Sequence, residues 1–153
     1  MDIDVAARRD CAPLTGPPAR VVLVDDHHMI RAGLGAALGE EPDLLVCGVA
    51  PDGLTGTAVV LRERPDVVLM DIAMPVMNGV DATASILEQW PQAKVVILTA
   101  FAEKRLVGAA MAAGAFGFVL KDADPFSVVC AVRRAMRGVL PVGEEMSHLP
   151  TRR

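Results

Sequence analysis

Aromatic side chains are scarce in this chain: Phe and Trp together make up 3% of it, and tyrosine is absent. Single-stranded nucleic acids bind by stacking bases on aromatic rings, so an extended platform of that kind is excluded. Basic charge is not in excess either. Lys and Arg number 15 against 19 Asp and Glu, a net charge of -4, whereas a DNA-binding surface needs the opposite balance. No apolar run approaches the roughly 18 residues that a membrane-spanning helix needs. The start M-D-I-D lacks the basic-then-apolar order of a secretion signal. Cys11, Cys47 and Cys130 have neither metal-ligand nor redox spacing, which fits reduced thiols in a cytosolic protein. His27 and His28 are adjacent and His148 is remote, so no zinc set is expected.

What the chain does have is aliphatic bulk. Hydrophobic residues are 52% of 153, enough for one well-packed domain and hardly two. Residues 1–19 hold Pro13, Gly16, Pro17 and Pro18 and read as a flexible leader. Order is expected from Arg20, where V-V-L-V opens a series of short apolar runs at Leu44–Val49, Val67–Met70, Val95–Leu98 and Gly117–Leu120. Strands apolar on both faces belong to a parallel sheet covered on both sides. The intervening segments Met29–Leu38, Leu54–Arg62, Val80–Trp90, Glu103–Ala113 and Phe126–Arg137 carry apolar residues near helical spacing. Asp124-Pro125 suits a helix start, and Gly138 and Pro141 suit its end. The expected fold class is α/β, a doubly wound (βα)5 sheet of five parallel strands with flavodoxin-like topology.

Ligands in such sheets bind beyond the carboxyl ends of the strands. Strand one ends in Asp25-Asp26, strand three in Asp71, strand four in Thr99 and strand five in Leu120-Lys121. If these converge, three carboxylates repel one another and need cationic compensation. Lys121 supplies one charge, and a hard divalent cation with oxygen ligands, Mg²⁺, suits the remainder. Mg²⁺ held by few protein ligands leaves positions for a phosphate group. Phosphoryl transfer needs a nucleophile, charge neutralisation and donors. Asp71 fits the nucleophile, Lys121 the neutralising cation and the Thr99 hydroxyl the donor.

The motifs V-L-V-D-D-H (22–27), L-M-D-I-A-M-P-V-M-N-G (69–79), V-I-L-T-A (96–100) and G-A-F-G-F-V-L-K (114–121) resemble the receiver domain of two-component response regulators. The resemblance covers about residues 20–140. D-D-H-H-M-I-R-A-G-L (25–34) and G-F-V-L-K-D (117–122) resemble the LuxR/NarL group, where Asp122 stands in place of the proline many other receivers carry. The resemblance implies that Asp71 accepts phosphate from a histidine kinase. It implies a metal site of Asp26 as direct ligand, Asp25 acting largely through water, Asp71, and the backbone carbonyl of Ala73. Thr99 and Phe118 match the hydroxyl and aromatic switch positions. Further implications are a cytoplasmic location and a switch in the faces of the fourth helix, fifth strand and fifth helix. A homodimer through those faces or the first helix is also in view. The tail from residue 141 to 153 reads as a linker toward a helix-turn-helix domain, DNA contact being assigned only to that domain, which this chain stops short of. A stand-alone receiver acting by protein contact is the other account of the tail.

Plainer readings stand beside these. Asp25-Asp26 alone can cap a helix, His27 and His28 read as surface or capping-region residues, and Phe118 alone reads as core. Pro75 and Gly79 read as turn formers, and Arg133-Arg134 is too short a basic run to imply nucleic-acid contact. A phosphatase-type hydrolase also uses an Asp nucleophile, but usually with a second Asp just beyond it. Position 73 is Ala73, and no carboxylate occurs from Ile72 to Val80. A degenerate receiver serving only for dimerisation is opposed by Asp26, Asp71, Thr99 and Lys121 being present together.

Overall fold

A computed structural model describes residues 11–100, 103–122 and 124–139. The strands are β1 (Ala19–Val24), β2 (Leu44–Ala50), β3 (Val67–Asp71), β4 (Val95–Thr99) and β5 (Gly117–Leu120). They alternate with α1 (His28–Gly39), α2 (Gly53–Glu63), α3 (Gly79–Gln89), α4 (Lys104–Ala112) and α5 (Pro125–Met136). All pairings are parallel, in the order β2-β1-β3-β4-β5. The five-stranded doubly wound sheet expected from the apolar runs is the observed one. No described helix is long and apolar enough to cross a membrane.

Strand alternation divides the core into two layers, because successive side chains leave a strand on opposite faces. Val22, Val24, Val68, Met70, Val95, Ile97 and Phe118 meet Val59 and Val60 of α2, Ala82 and Ile86 of α3, and Val107 and Ala110 of α4. Val21, Leu23, Val67, Leu69, Val96, Leu98 and Val119 face the other way. There they meet Leu34 and Leu38 of α1 and Val128, Val129, Val132 and Ala135 of α5. The valine stripe of α5 is thus spent on packing against the sheet. Val107 and Ala110 do the same for α4, whose remaining small residues contribute little apolar area.

Local chemistry sets the helix starts. Asp124 accepts the Phe126 N–H at 3.1 Å with Pro125 in the first turn, as its sequence predicts. Asn78 accepts the Asp81 N–H at 2.9 Å and so begins α3, a capping role not seen in the turn reading of Asn78-Gly79. Gly138, at φ +75°, follows the end of α5 in the left-handed conformation that stops a helix. Pro141 and the tail from 141 to 153 lie outside the described residues.

Two expectations change at the amino-terminal end. Of the leader, residues 11–18 are held against the domain: Leu14 packs on the α1/α5 layer, and its N–H donates to Asp43 Oδ2 at 2.9 Å. Cys11 and Cys130, expected as reduced thiols, are joined in a disulfide. They are 119 residues apart, and a pair brought together only by the fold leaves no spacing signal in the chain. Cys47 remains a free thiol, and burial raises its pKa.

Candidate functional site

β1 and β3 are neighbours, although β2 lies on the far side of β1 and β4 on the far side of β3. The chain connections therefore diverge between them, and a crevice opens beyond their carboxyl ends. Asp71 is the last residue of β3, and Asp25 and Asp26 follow β1 directly. The Asp25 N–H donates to the Ala50 carbonyl oxygen at 3.1 Å, which continues the strand pairing up to the site.

Gly79 brings the far side of the β3–α3 loop down onto Asp71. Its N–H donates to the Ile72 carbonyl oxygen at 2.8 Å, and a Cβ there would collide with the Asp71 carbonyl oxygen. The turn-former reading thus becomes a close-approach requirement. Ala73 lies exposed in the same loop. Val76, also in that loop, holds φ +72°, a strained conformation for a β-branched residue.

The predicted acidic set is brought together. Ligand atoms of Asp25, Asp26, His27 and Asp71 all lie within 4.8 Å of one another. Lys121 Nζ reaches over them, 3.1 Å from Asp25 Oδ2 and 3.3 Å from Asp71 Oδ1. Asp25 and Asp71 are almost wholly buried, at 0% and 1% exposure. Asp71 Oδ2 is buried without a hydrogen-bond partner. Burial, and next the negative charge of Asp25, push the Asp71 pKa up to about 7, against the opposing pull of Lys121. Burial alone would lower the Lys121 pKa, but the charges of Asp71 and Asp25 outweigh it and hold the ammonium above its usual range.

With Asp71 ionised, three carboxylates against one ammonium leave two negative charges uncompensated, the charge of one divalent cation. An orphaned carboxylate oxygen in a cluster of oxygen donors fits a hard cation such as Mg²⁺. Asp25, Asp26 and Asp71 are the side chains present to hold it.

Sequence reasoning missed three members of this site. His27 does occupy the N-cap of α1, but its side chain makes no cap bond. Its Nδ1 instead stands 3.1 Å from both Asp25 Oδ1 and Asp26 Oδ1, and 3.2 Å from Lys121 Nζ. One ring nitrogen cannot both donate to a carboxylate and accept from an ammonium, so Nδ1 serves one of these partners at a time. Arg31 donates to the Asp25 carbonyl oxygen at 2.7 Å and fixes the start of the acidic loop. Glu103 accepts from the Ala100 N–H at 3.1 Å and from Thr99 Oγ1 at 3.3 Å. Thr99, at the end of β4, also donates to the Ala100 carbonyl oxygen at 3.0 Å. Its hydroxyl is therefore turned along its own loop. Phe118 is buried at 2% exposure in the layer that contains Val107 and Ala110 of α4.

The class defined here is a doubly wound parallel α/β domain with an acidic crevice and an overhanging lysine at its carboxyl edge. Residues 21–133 match the model of the response regulator receiver domain, and the chain belongs to that family. It is 39% identical over 119 residues to the transcriptional regulatory protein LiaR of Bacillus subtilis, covering 78% of this chain and 56% of that protein. Against DegU of Brevibacillus brevis the identity is 33% over 84% of this chain and 55% of that protein. The chain thus spans little more than half the length of the curated relatives it matches. The receiver domain of a NarL response regulator from Mycobacterium tuberculosis superimposes with TM-score 0.75 and 33% identity, covering 80% of this chain and 99% of that one. A chain of a CheX–CheY–BeF3–Mg²⁺ complex from Borrelia burgdorferi is also similar, with TM-score 0.70 and 27% identity over 80% of this chain and 90% of that one. The relatives and structures place the chain among receivers of the LuxR/NarL kind, a regulatory domain.

Proposed function

We propose that the chain is a phosphoacceptor switch in which Asp71 takes a phosphoryl group from the phosphohistidine of a histidine kinase. The observation that carries this reading is Asp71 itself. It is buried, with one oxygen unpartnered and the other 3.3 Å from Lys121. An Asp71 oxygen attacks phosphorus, an O–P bond forms, and the N–P bond of the donor breaks to release the kinase imidazole. Lys121 neutralises charge on the carboxylate and on the incoming phosphoryl oxygens. Mg²⁺, held by Asp25, Asp26, Asp71 and the Ala73 carbonyl, supplies further neutralisation of those oxygens when bound. Support for that cation comes from the uncompensated carboxylates and from the Mg²⁺ in the similar CheY complex.

In this reading Thr99 exchanges its loop hydrogen bonds for a phosphoryl oxygen, and Phe118 repacks in response. The faces of α4, β5 and α5 then change their association with partners, including a second copy of the chain through these faces or α1. Water later hydrolyses the aspartyl-phosphate and resets the state. Activity is limited to assistance of this phosphorylation and dephosphorylation. The receiver spans residues 20–140, and residues 141–153 form a linker to a DNA-binding domain of a longer transcription regulator working in the cytoplasm. Its relatives LiaR and DegU are transcriptional regulatory proteins.

The test is intact mass after incubation with acetyl phosphate and Mg²⁺, then with a panel of phosphorylated histidine kinases. One added phosphoryl group, dependent on Mg²⁺ and absent in Asp71→Asn, is expected. Failure with every donor would end the phosphoacceptor reading. Lys121→Ala is expected to weaken the coupling of phosphorylation to partner binding more than it weakens folding.

A further inference from the structure

The side of the domain opposite α2, α3 and α4 is crossed by residues 11–18, a strap between the chain start and β1. Two sets of contacts, joined through Asp43, seat it. At its far end the Cys11 carbonyl oxygen accepts from Arg133 Nη1 at 2.9 Å, and the Ala12 carbonyl oxygen accepts from Arg137 Nη2 at 2.6 Å. Nearer β1, Leu14 adds the backbone bond to Asp43 and an apolar side chain on the α1/α5 layer. Arg133 is the centre of this arrangement. It is 2% exposed, and it donates through Nε to Asp43 Oδ2 at 2.9 Å and through Nη2 to Asp43 Oδ1 at 2.8 Å and Glu41 Oε1 at 2.7 Å. These bonds lie beside the disulfide and bring the backbone of Cys11 onto α5, one turn from Cys130.

Cys130 is buried and Cys11 is half-buried. A reagent from solvent therefore meets Cys11 first, with Cys130 behind it as the resolving partner. We propose that Cys11 and Cys130 form a reversible redox modification site that fastens the strap across α5 when oxidised and releases it when reduced. The co-reactant is a low-molecular-weight disulfide of the oxidised glutathione class. The Cys11 thiolate attacks one of its sulfurs, forms a mixed disulfide and expels one glutathione thiolate. The Cys130 thiolate then attacks the Cys11 sulfur, forms the intramolecular bond and expels the second. The two protons lost by the cysteines end on the two glutathione thiols. Reduction runs the same exchange backwards. Cys47 sits on β2, away from α5, and takes no part.

The test uses the full chain equilibrated in glutathione mixtures from reducing to oxidising, quenched with an alkylating agent in denaturant and weighed intact. Under oxidising mixtures one adduct, at Cys47, is expected; under reducing mixtures three are expected. Cys11→Ser, a change in the strap that leaves the sheet and its core untouched, is expected to give two adducts at every mixture. Hydrogen exchange at the Leu14 amide supplies the structural readout. Exchange about tenfold faster in the reduced chain and in Cys11→Ser is expected from opening of the strap. Three adducts at all mixtures, a stable glutathione adduct on Cys11 with Cys130 still free, or equal Leu14 protection in both states would each overturn the proposal. Cys47→Ser with an altered midpoint would do so as well.

Discussion

The Thr99 hydroxyl and the Glu103 carboxylate meet at 3.3 Å across the β4–α4 loop, and the same carboxylate oxygen accepts the Ala100 N–H at 3.1 Å. A hydroxyl has one proton. While it is shared between Glu103 and the Ala100 carbonyl oxygen, it is not available to a phosphoryl oxygen at the end of β3. Within the proposed function, Glu103 would thus act as a latch on Thr99.

Removing the latch should show in the rate of phosphorylation. Glu103→Ala is expected to raise the initial rate with acetyl phosphate by about 3–10-fold, the value of one ordinary hydrogen bond of ~1 kcal/mol. Thr99→Ala is expected to lower it. The measurement is the time course of intact mass, and an unchanged rate in Glu103→Ala would remove the latch from the mechanism.

Asp71 carries a pH signature in the metal-free protein. Its folded pKa is raised to about 7 from 3.8, so the folded state holds a proton that the unfolded chain has already lost. The associated stability is fully present below about pH 4 and is lost as pH rises through about 7. Asp71→Asn has no such loss. With chelator present, it is expected to exceed the parent in stability by about 1–2 kcal/mol at pH 8, allowing for solvent screening, and to match it near pH 4. Urea unfolding at the two pH values decides this, and added Mg²⁺ should narrow the difference at pH 8 by binding the folded parent.

Arg133 and Asp43 carry the opposite sign. The Arg133 hydrogen bonds, against the cost of burial, hold the Asp43 pKa down at about 2. That contribution is present above about pH 4 and lost as pH falls through about 2. Arg133→Met leaves a buried carboxylate without its partner, and is expected to cost about 2–4 kcal/mol at pH 7. The deficit should shrink as acid protonates Asp43. A deficit constant from pH 7 to pH 2, followed by denaturant melts, would assign the loss to packing alone.

Gly79 tests how the acidic crevice is built. Any side chain there meets the Asp71 carbonyl oxygen and the Ile72 backbone. Gly79→Ala is expected to destabilise by about 2 kcal/mol through displacement of the β3–α3 loop, with a loss of phosphorylation larger than that of an at least equally destabilising core variant such as Ile86→Ala. Equal loss in the two would make Gly79 a purely structural residue.

Much of the fold was legible in the sequence because its signals are local. The runs at Val67–Met70 and Val95–Leu98 are buried on both faces, and only a covered parallel sheet uses such strands. Once the sheet is read, its topology sends every strand end to one edge, so Asp25, Asp26, Asp71, Thr99 and Lys121 could be grouped before any coordinate was known. Asp124-Pro125 likewise marked a helix start through bonding confined to one turn.

Other features depended on residues far apart in the chain. His27 looked like a capping-region residue because its neighbours in sequence say nothing about Lys121, 94 positions away. Glu103 looked like the first residue of a helix, and only the fold shows its carboxylate at Thr99. Arg133 looked like part of a basic run too short to matter until the fold set it against Asp43, 90 positions away. Cys11 and Cys130 looked unrelated. Periodicity and turn chemistry are written into neighbouring residues, so the sequence alone determined the sheet, its helices and the acidic edge. Pairing across the chain depends on which surfaces the packed core brings within bonding distance, and the tertiary structure alone decided the latch on Thr99, the buried arginine and the strap it holds.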